Sequence, residues 1–501
     1  MPADPLGSPS PRVATGIEGL DDILRGGLPE NRLYLVEGEP GAGKTTLALQ
    51  FLLEGTRRGE RGLYVTLSET AEELHAVALS HGWSLDHVAL YELAATPEPL
   101  SADEQYTILH PSEVELGETT KAVFEEVERI NPTRVVFDSL SEMRLLAREP
   151  LRYRRQILAL KQFFVGRHCT VLLLDDRTAE SGDLQLQSIT HGVVRLEQLA
   201  TELSAERRRL RVIKLRGVRF RGGYHDFRIL TGGMRVFPRL LPMEHRHAFA
   251  REKVKSGILE LDALLGGGLL PGTSALLIGP AGAGKSIVAS QYATAAAERG
   301  ERVVIYLFDE QPDTALIRGD GLGLALRSHV EGGRITLQEV DPAQLSPGEF
   351  SERVRHAVER DGARMVVIDS LNGYLAAMPE ERFLILQLHE LLGYLNRLGV
   401  LSFMVVAEHG LIGSSMAAPI DISYLADTVL LFRYFEVTGE VRQAISVVKH
   451  RPGRHERTIR ELQLGPGIRV GPPLKQIQGV LSGAVTVMGT EKALGRDGRT
   501  D

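Results

Sequence analysis

The sequence is short of the residues that build several kinds of protein. It holds one cysteine, Cys169, in 501 residues, so no disulfide can form within the chain. Cys169 borders the apolar run Thr170 to Leu174, which predicts a core thiol in a reducing compartment. No run of 18 apolar residues occurs, and Met1 to Arg12 is rich in proline and serine without a signal-peptide core. Neither a membrane span nor a secretory leader is therefore expected, and the reading is cytoplasmic. Positive charge is not in excess: 58 Lys and Arg stand against 65 Asp and Glu, a formal net charge of −7. That balance argues against a role built on gripping a nucleic-acid backbone. Hydrophobic content of 43% and charged content of 25% are ordinary for a globular protein. The length predicts two or more domains at roughly 150 residues each.

What is present is one motif, twice. Gly38-Glu39-Pro40-Gly41-Ala42-Gly43-Lys44-Thr45 and Gly279-Pro280-Ala281-Gly282-Ala283-Gly284-Lys285-Ser286 both fit G-x-x-x-x-G-K-[ST]. Loops of this pattern cradle nucleotide phosphates in backbone N–H groups, with glycines where the turn leaves no room for Cβ. The lysine reaches the β- and γ-phosphates, and the hydroxyl of Thr45 or Ser286 is the expected ligand of Mg²⁺. Each loop follows an apolar run of buried-strand type, Leu33 to Val36 and Ala275 to Ile278. Each precedes a helical pattern, Thr46 to Glu54 and Ile287 to Glu298, whose positive end faces the phosphates. Thr46 and Ile287 open those helices. Two sites for ATP with Mg²⁺ are expected.

The rest of the chain repeats too. Gly16-Ile17-Glu18-Gly19-Leu20-Asp21 is echoed by Gly257-Ile258-Leu259-Glu260-Leu261-Asp262. Lys44 and Lys285, and Glu69 and Glu310, are both separated by 241 residues (285 − 44 and 310 − 69). Two homologous domains, 14–245 and 246–483, are therefore expected between a disordered lead, 1–13, and a flexible tail, 484–501. In each, apolar Val/Ile/Leu-rich runs alternate with helical patterns, the signature of a mainly parallel sheet covered by helices on both faces. Late strands without intervening helices, Arg209 to Lys214 and Ala444 to Lys449, should extend the sheet as antiparallel hairpins. The fold class is α/β, two tandem RecA-like P-loop NTPase domains.

Acids at the strand tips point to the chemistry. Asp138 and Asp369 each end an apolar run and precede Ser-Leu, the expected place for a carboxylate that holds Mg²⁺. An aspartate capping a following helix would show the same local pattern. A base for the attacking water or hydroxyl is expected after the second strand, where the chain reads Ser68-Glu69 and Asp309-Glu310.

With its paired loops, paired D-S-L tips, Ser80-His81-Gly82-Trp83 and Lys214-Leu215-Arg216-Gly217, the chain resembles the KaiC family of tandem ATPases and autokinases from about Gly16 to Gly483. The resemblance implies a homo-oligomer, a two-tiered hexamer with ATP at the subunit interfaces, and a signalling protein as partner. It adds Ser80 to the nucleotide-binding residues. It also implies that Lys214, Leu215 and Arg216, and Lys449, His450 and Arg451, complete a neighbour's site. A lysine and an arginine supplied in trans would neutralise phosphate charge there.

The chain departs from that pattern in places. Ser68 stands where the family carries the first of two adjacent glutamates, which implies slow hydrolysis in the first domain unless Glu69 substitutes. Asp309 is one methylene shorter than glutamate. In the stretch Asp421 to Thr428, Ser423 is retained as a phosphoacceptor, while Tyr424 replaces a threonine. The resulting expectation is an ATPase with serine/threonine autokinase activity in the second domain, where Asp309 is the base and Glu310 supports it. A DNA-dependent motor is the alternative on the same fold, but it needs basic or aromatic channel loops. The segments Gly410 to Pro419 and Ala179 to Thr190 contain no lysine or arginine. A nucleotide-gated scaffold with little catalysis is a third reading, favoured by Ser68.

Overall fold

Alternating apolar runs and amphipathic helices fold, in each half of the chain, into one nine-stranded sheet. The computed structural model describes residues 11–93, 111–147, 149–176, 184–199, 206–245, 247–376, 381–408, 422–437, 439–481 and 486–487. The chain divides into two compact units, residues 1–239 and 240–501. The division falls just ahead of the expected boundary at 245, because Leu240 is buried in the core of unit two.

In unit one the strands are β1 (Leu33–Gly38), β2 (Gly62–Thr66), β3 (Val88–Glu92), β4 (Arg134–Asp138), β5 (Thr170–Asp176), β6 (Gly192–Leu199), β7 (Arg207–Leu215), β8 (Tyr224–Leu230) and β9 (Gly233–Phe237). They lie in the order β3-β2-β4-β5-β1-β6-β7-β8-β9. From β3 to β6 all neighbours are parallel, and from β6 to β9 all are antiparallel. Unit two repeats the plan with β10 (Ser274–Gly279), β11 (Arg302–Leu307), β12 (Ile335–Glu339), β13 (Ala363–Asp369), β14 (Leu401–Ala407), β15 (Thr428–Val437), β16 (Glu440–His450), β17 (Ile459–Gly465) and β18 (Gly467–Pro473). Its order is β12-β11-β13-β14-β10-β15-β16-β17-β18. This is the tandem RecA-like arrangement, with the antiparallel extension that the late strands predicted. The half-exposed edge strands β3 and β12 were not expected from the sequence.

Burial on both faces makes the parallel strands continuous apolar runs. Along β1, Leu33 and Leu35 enter one core cluster while Tyr34 and Val36 enter the other. Along β10, Ala275 and Leu277 face one cluster and Leu276 the opposite one. Cys169 is buried, and loss of hydration pushes its thiol up to about 12. Among the described residues no helix is long and apolar enough to cross a membrane.

Two sequence expectations about the chain ends need correction. Arg12 and Val13 pair with Leu28–Pro29 as a short strand instead of continuing a disordered lead. The Arg12 guanidinium fixes them by donating to the carbonyls of Leu24 and Gly27. At the other end, Thr486–Val487 pair with Ile477–Gln478. Val480 is buried against Phe435 and Ala444, so the chain packs back onto unit two past Gly479.

Candidate functional site

The two glycine-rich loops leave the C-terminal ends of β1 and β10 and turn directly into α1 (Lys44–Arg57) and α3 (Lys285–Glu298); α2 (Ala71–Ser80) follows β2 in unit one. Gly43 and Gly284, the residues preceding each lysine, both have φ of 98°. That left-handed conformation is open to glycine at little cost and strained for other residues. The antiparallel hairpins back the loops. A Cβ on Gly43 would stand 2.6 Å from Ile229, and one on Gly284 would stand 3.0 Å from Leu462. The extension of each sheet is thus the wall that holds its phosphate loop in shape. Gly41, Ala42, Gly43, Lys44, Thr45 and Thr46 form the loop and the first turn of α1, and Gly282, Ala283, Gly284, Lys285, Ser286 and Ile287 form the loop and the first turn of α3.

In unit one three carboxylates converge beside the loop. Asp138 ends β4 and Glu69 follows β2. Asp176 ends β5, the strand between those of the loop and of Asp138. Lys44 is buried, donates to the carbonyls of Gly38 at 3.0 Å and Glu39 at 2.9 Å, and pairs with Asp176 at 2.6 Å. The sequence reading missed Asp176, which sits in an acidic pair whose place at a strand tip only the sheet order reveals. Burial raises the Asp138 carboxyl above its usual range, against a stabilising hydrogen bond from the Tyr64 hydroxyl at 2.5 Å. Glu69 is pushed up to about 7, chiefly by burial and next by the charge of Asp138. Among the described residues, its buried Oε2 has no hydrogen-bond partner. A carboxylate so placed is a proton acceptor poised near neutral pH.

Unit two holds its acids differently. Asp369 is raised to about 6, mainly by burial and in spite of a hydrogen bond with Ser286. One oxygen of Asp309 accepts from the hydroxyl and the backbone N–H of Ser370. The residue beneath is Gly373, where a Cβ would meet Asp309 Oδ1 at 2.8 Å. Glu310, expected to support the base, is instead gripped by Arg318 through two hydrogen bonds of 2.5 and 2.7 Å. Arg318 stands on α4 (Pro312–Gly321), and Glu310 lies just ahead of that helix. Arg318 ties up both oxygens of Glu310, and the unit-one residue at the same offset, Val77, cannot do the same.

The two lysines differ as well. Lys285 donates to the Pro280 carbonyl at 2.6 Å, and burial pushes its ammonium down to about 8. Below pH 8 the amine is already charged. Above it, triphosphate binding must draw in a proton, so affinity falls as pH rises. In a Lys44→Ala background, binding of a fluorescent ATP analogue at unit two should weaken by about an order of magnitude between pH 7.5 and pH 9. Equal affinities at the two pH values would contradict the burial argument.

The expected in-trans residues lie near the N-terminal ends of β1 and β10, the opposite end of the strands from their own loops. Lys214 pairs with Val193, which is level with Leu35 of β1. Three residues of strand, about 10 Å, then separate that level from Gly38, where the loop begins. The Lys214 ammonium donates to the Gln187 carbonyl, and Arg216 donates to that of Ser188 at 2.8 Å. Unit two matches this: Lys449 pairs with Val429, level with Leu276. Lys449 donates to the Ser423 carbonyl at 2.7 Å and Arg451 to that of Tyr424 at 3.0 Å. The candidate phosphoacceptor is therefore a neighbour of the cationic pair and remote from its own phosphate loop. Leu215 and His450 are buried, the latter bonded to the Thr428 hydroxyl, so their side chains point inward. Ser80 ends α2, exposed, with its hydroxyl on the Val77 carbonyl. The adjacent His81 bonds to Leu230 in the hairpin that backs Gly43. Of the two segments expected to line the channel of a DNA motor, 410–419 and 179–183 lie outside the described residues.

The oxygen donors fit a hard cation. Thr45 with Asp138, and Ser286 with Asp369, supply a hydroxyl and a carboxylate beside a phosphate loop. Both Asp–Ser peptides at these tips, Asp138–Ser139 and Asp369–Ser370, are cis. The family model described as "ATPase: KaiC" matches residues 13–240 and again 254–475. The chain is similar to the circadian clock oscillator protein KaiC of Thermostichus vulcanus, 27% identical over 487 residues, covering 95% of this chain and 92% of that one. Over 470 residues it is 27% identical to the protein of the same name from Prochlorococcus marinus, covering 91% and 92%. It is also similar to the circadian clock protein KaiC3 of a Synechocystis species, 24% identical over 483 residues and 94% of each chain.

Proposed function

The chain belongs to the KaiC family of ATPases, and from that premise we propose that it is an ATP- and Mg²⁺-dependent enzyme that assembles into a homo-oligomeric ring and phosphorylates itself on Ser423. Six subunits, with ATP between them, is the assembly we adopt. The observation that carries the proposal is the position of Lys214/Arg216 and Lys449/Arg451, at the end of the strands opposite their own phosphate loops. A cation there serves a triphosphate only if that triphosphate belongs to another copy.

Within this reading the loop amides and Lys44 or Lys285 hold the phosphates. Thr45 with Asp138, and Ser286 with Asp369, hold Mg²⁺, which neutralises charge on the β- and γ-phosphates. In unit one Glu69 takes the proton of the attacking water. In unit two Asp309 takes the proton of the Ser423 hydroxyl from the adjacent subunit, and Glu310 stays paired with Arg318. A protein partner receives the signal of the assembled state.

Mixing two inactive variants tests the shared site. Lys285→Ala lacks the loop lysine of unit two, and the double variant Lys449→Ala/Arg451→Ala lacks the cations. Neither should incorporate phosphate at Ser423 alone. A random equal mixture should recover about a quarter of parental incorporation, the share of interfaces with one intact loop and one intact cation pair. A mixture as inactive as its components would refute the in-trans site.

A further inference from the structure

The carboxylate at the tip of β4 has a partner that its counterpart in unit two lacks. Tyr64 of β2 is fully buried, and its hydroxyl donates to Asp138 Oδ2 at 2.5 Å. The Thr45 hydroxyl is also within hydrogen-bonding range of Tyr64. Register explains the convergence: Thr66 of β2 lies level with Asp138, and Tyr64 is two residues earlier on the same face. In unit two Leu307 lies level with Asp369. The residue two earlier is Ile305, and the hydrogen bond to Asp369 comes from Ser286. Phenylalanine would fill the core at position 64 equally well. A buried hydroxyl is costly unless bonded, and the bond Tyr64 makes is to the acid we assign to the cation.

We propose that Tyr64 is a positioning residue that fixes the Asp138 carboxylate for magnesium in unit one, an element of asymmetry between the two nucleotide sites. It rests on the reading of Asp138 and Thr45 as the cation's protein ligands. By holding Oδ2, the phenol stops the carboxylate from turning and leaves its other lone pairs to the metal. In unit two, among the described residues, the side-chain hydrogen bond to the carboxylate comes from the loop hydroxyl of Ser286. Groups that orient a ligating carboxylate are worth about 10- to 100-fold in metal affinity.

The test uses the full chain carrying Lys285→Ala, so that only unit one binds nucleotide. Affinity for a fluorescent ATP analogue is measured with Mg²⁺ and with EDTA, and the ratio is the gain that magnesium supplies. Tyr64→Phe should reduce that gain about tenfold while leaving the EDTA affinity at the parental value. Tyr64→Met, which fills similar space without a hydroxyl, should do the same. An unchanged gain in both variants overturns the role of Tyr64. An equal loss of affinity with and without magnesium also overturns it, because it would mean a purely structural role. If the Lys285→Ala parent shows no magnesium gain at all, the assignment of Asp138 and Thr45 fails, and the inference with it.

Discussion

Glu69→Gln lowers ATP turnover at unit one by about 10²- to 10⁴-fold, the range over which a positioned general base contributes to a proton-transfer step. The amide keeps the shape of the acid and cannot accept the proton. Ser68 alone would suggest a slow first domain, since a hydroxyl stands where a carboxylate was expected. The geometry around Glu69 argues the other way. Its Oε2 is buried and, among the described residues, unpartnered, and burial with the nearby charge of Asp138 lifts it to about 7. At pH 6 most of it is protonated and cannot act as a base, whereas at pH 8 it is ionised. Turnover in a Lys285→Ala background should therefore climb as pH rises through 7 and then level off. Residual activity of Glu69→Gln should lose that climb. Phosphate release measured from pH 6 to pH 8 checks both. Parental turnover in Glu69→Gln would remove Glu69 from the mechanism.

The second large effect is expected in unit two. Asp309→Asn should cut phosphate incorporation at Ser423 by about 10²- to 10⁴-fold with ATP binding intact. The Ser370 hydroxyl and N–H both address Asp309 Oδ2, which fixes the carboxylate and leaves Oδ1 for an incoming hydroxyl. Glu310→Gln is the matched control. Arg318 already occupies both oxygens of Glu310, so its loss should cost less than that of Asp309. Mass spectrometry of protein incubated with ATP locates the phosphate. Unchanged incorporation in Asp309→Asn, or in Ser423→Ala, would end the kinase half of the proposal and leave an ATPase that works as a scaffold.

Much of this protein is written locally in its chain. The spacing of glycines before Lys44 and Lys285 specifies a phosphate loop because the turn and the anion both need bare backbone at those positions. The strand Arg134–Asp138 is the apolar run Val135 to Phe137 with one charged residue at each end, since a strand buried on both faces has no polar alternation to blur its limits. The constant interval between the two halves declares a repeated domain before any fold is known. Contacts between distant residues are another matter. Tyr64 and Asp138 are 74 residues apart, and nothing near either one announces the other. Asp176 reads as one of two adjacent acids until β5 is seen to lie between β1 and β4, which brings it to Lys44. Lys214 and Arg216 look like part of a basic strand until the antiparallel register carries them to the end of the sheet away from the loop. Local backbone chemistry thus determined the loops, the strands and the repeat. Strand order and register, which are properties of the packed sheet and of no single segment, decided which charges meet.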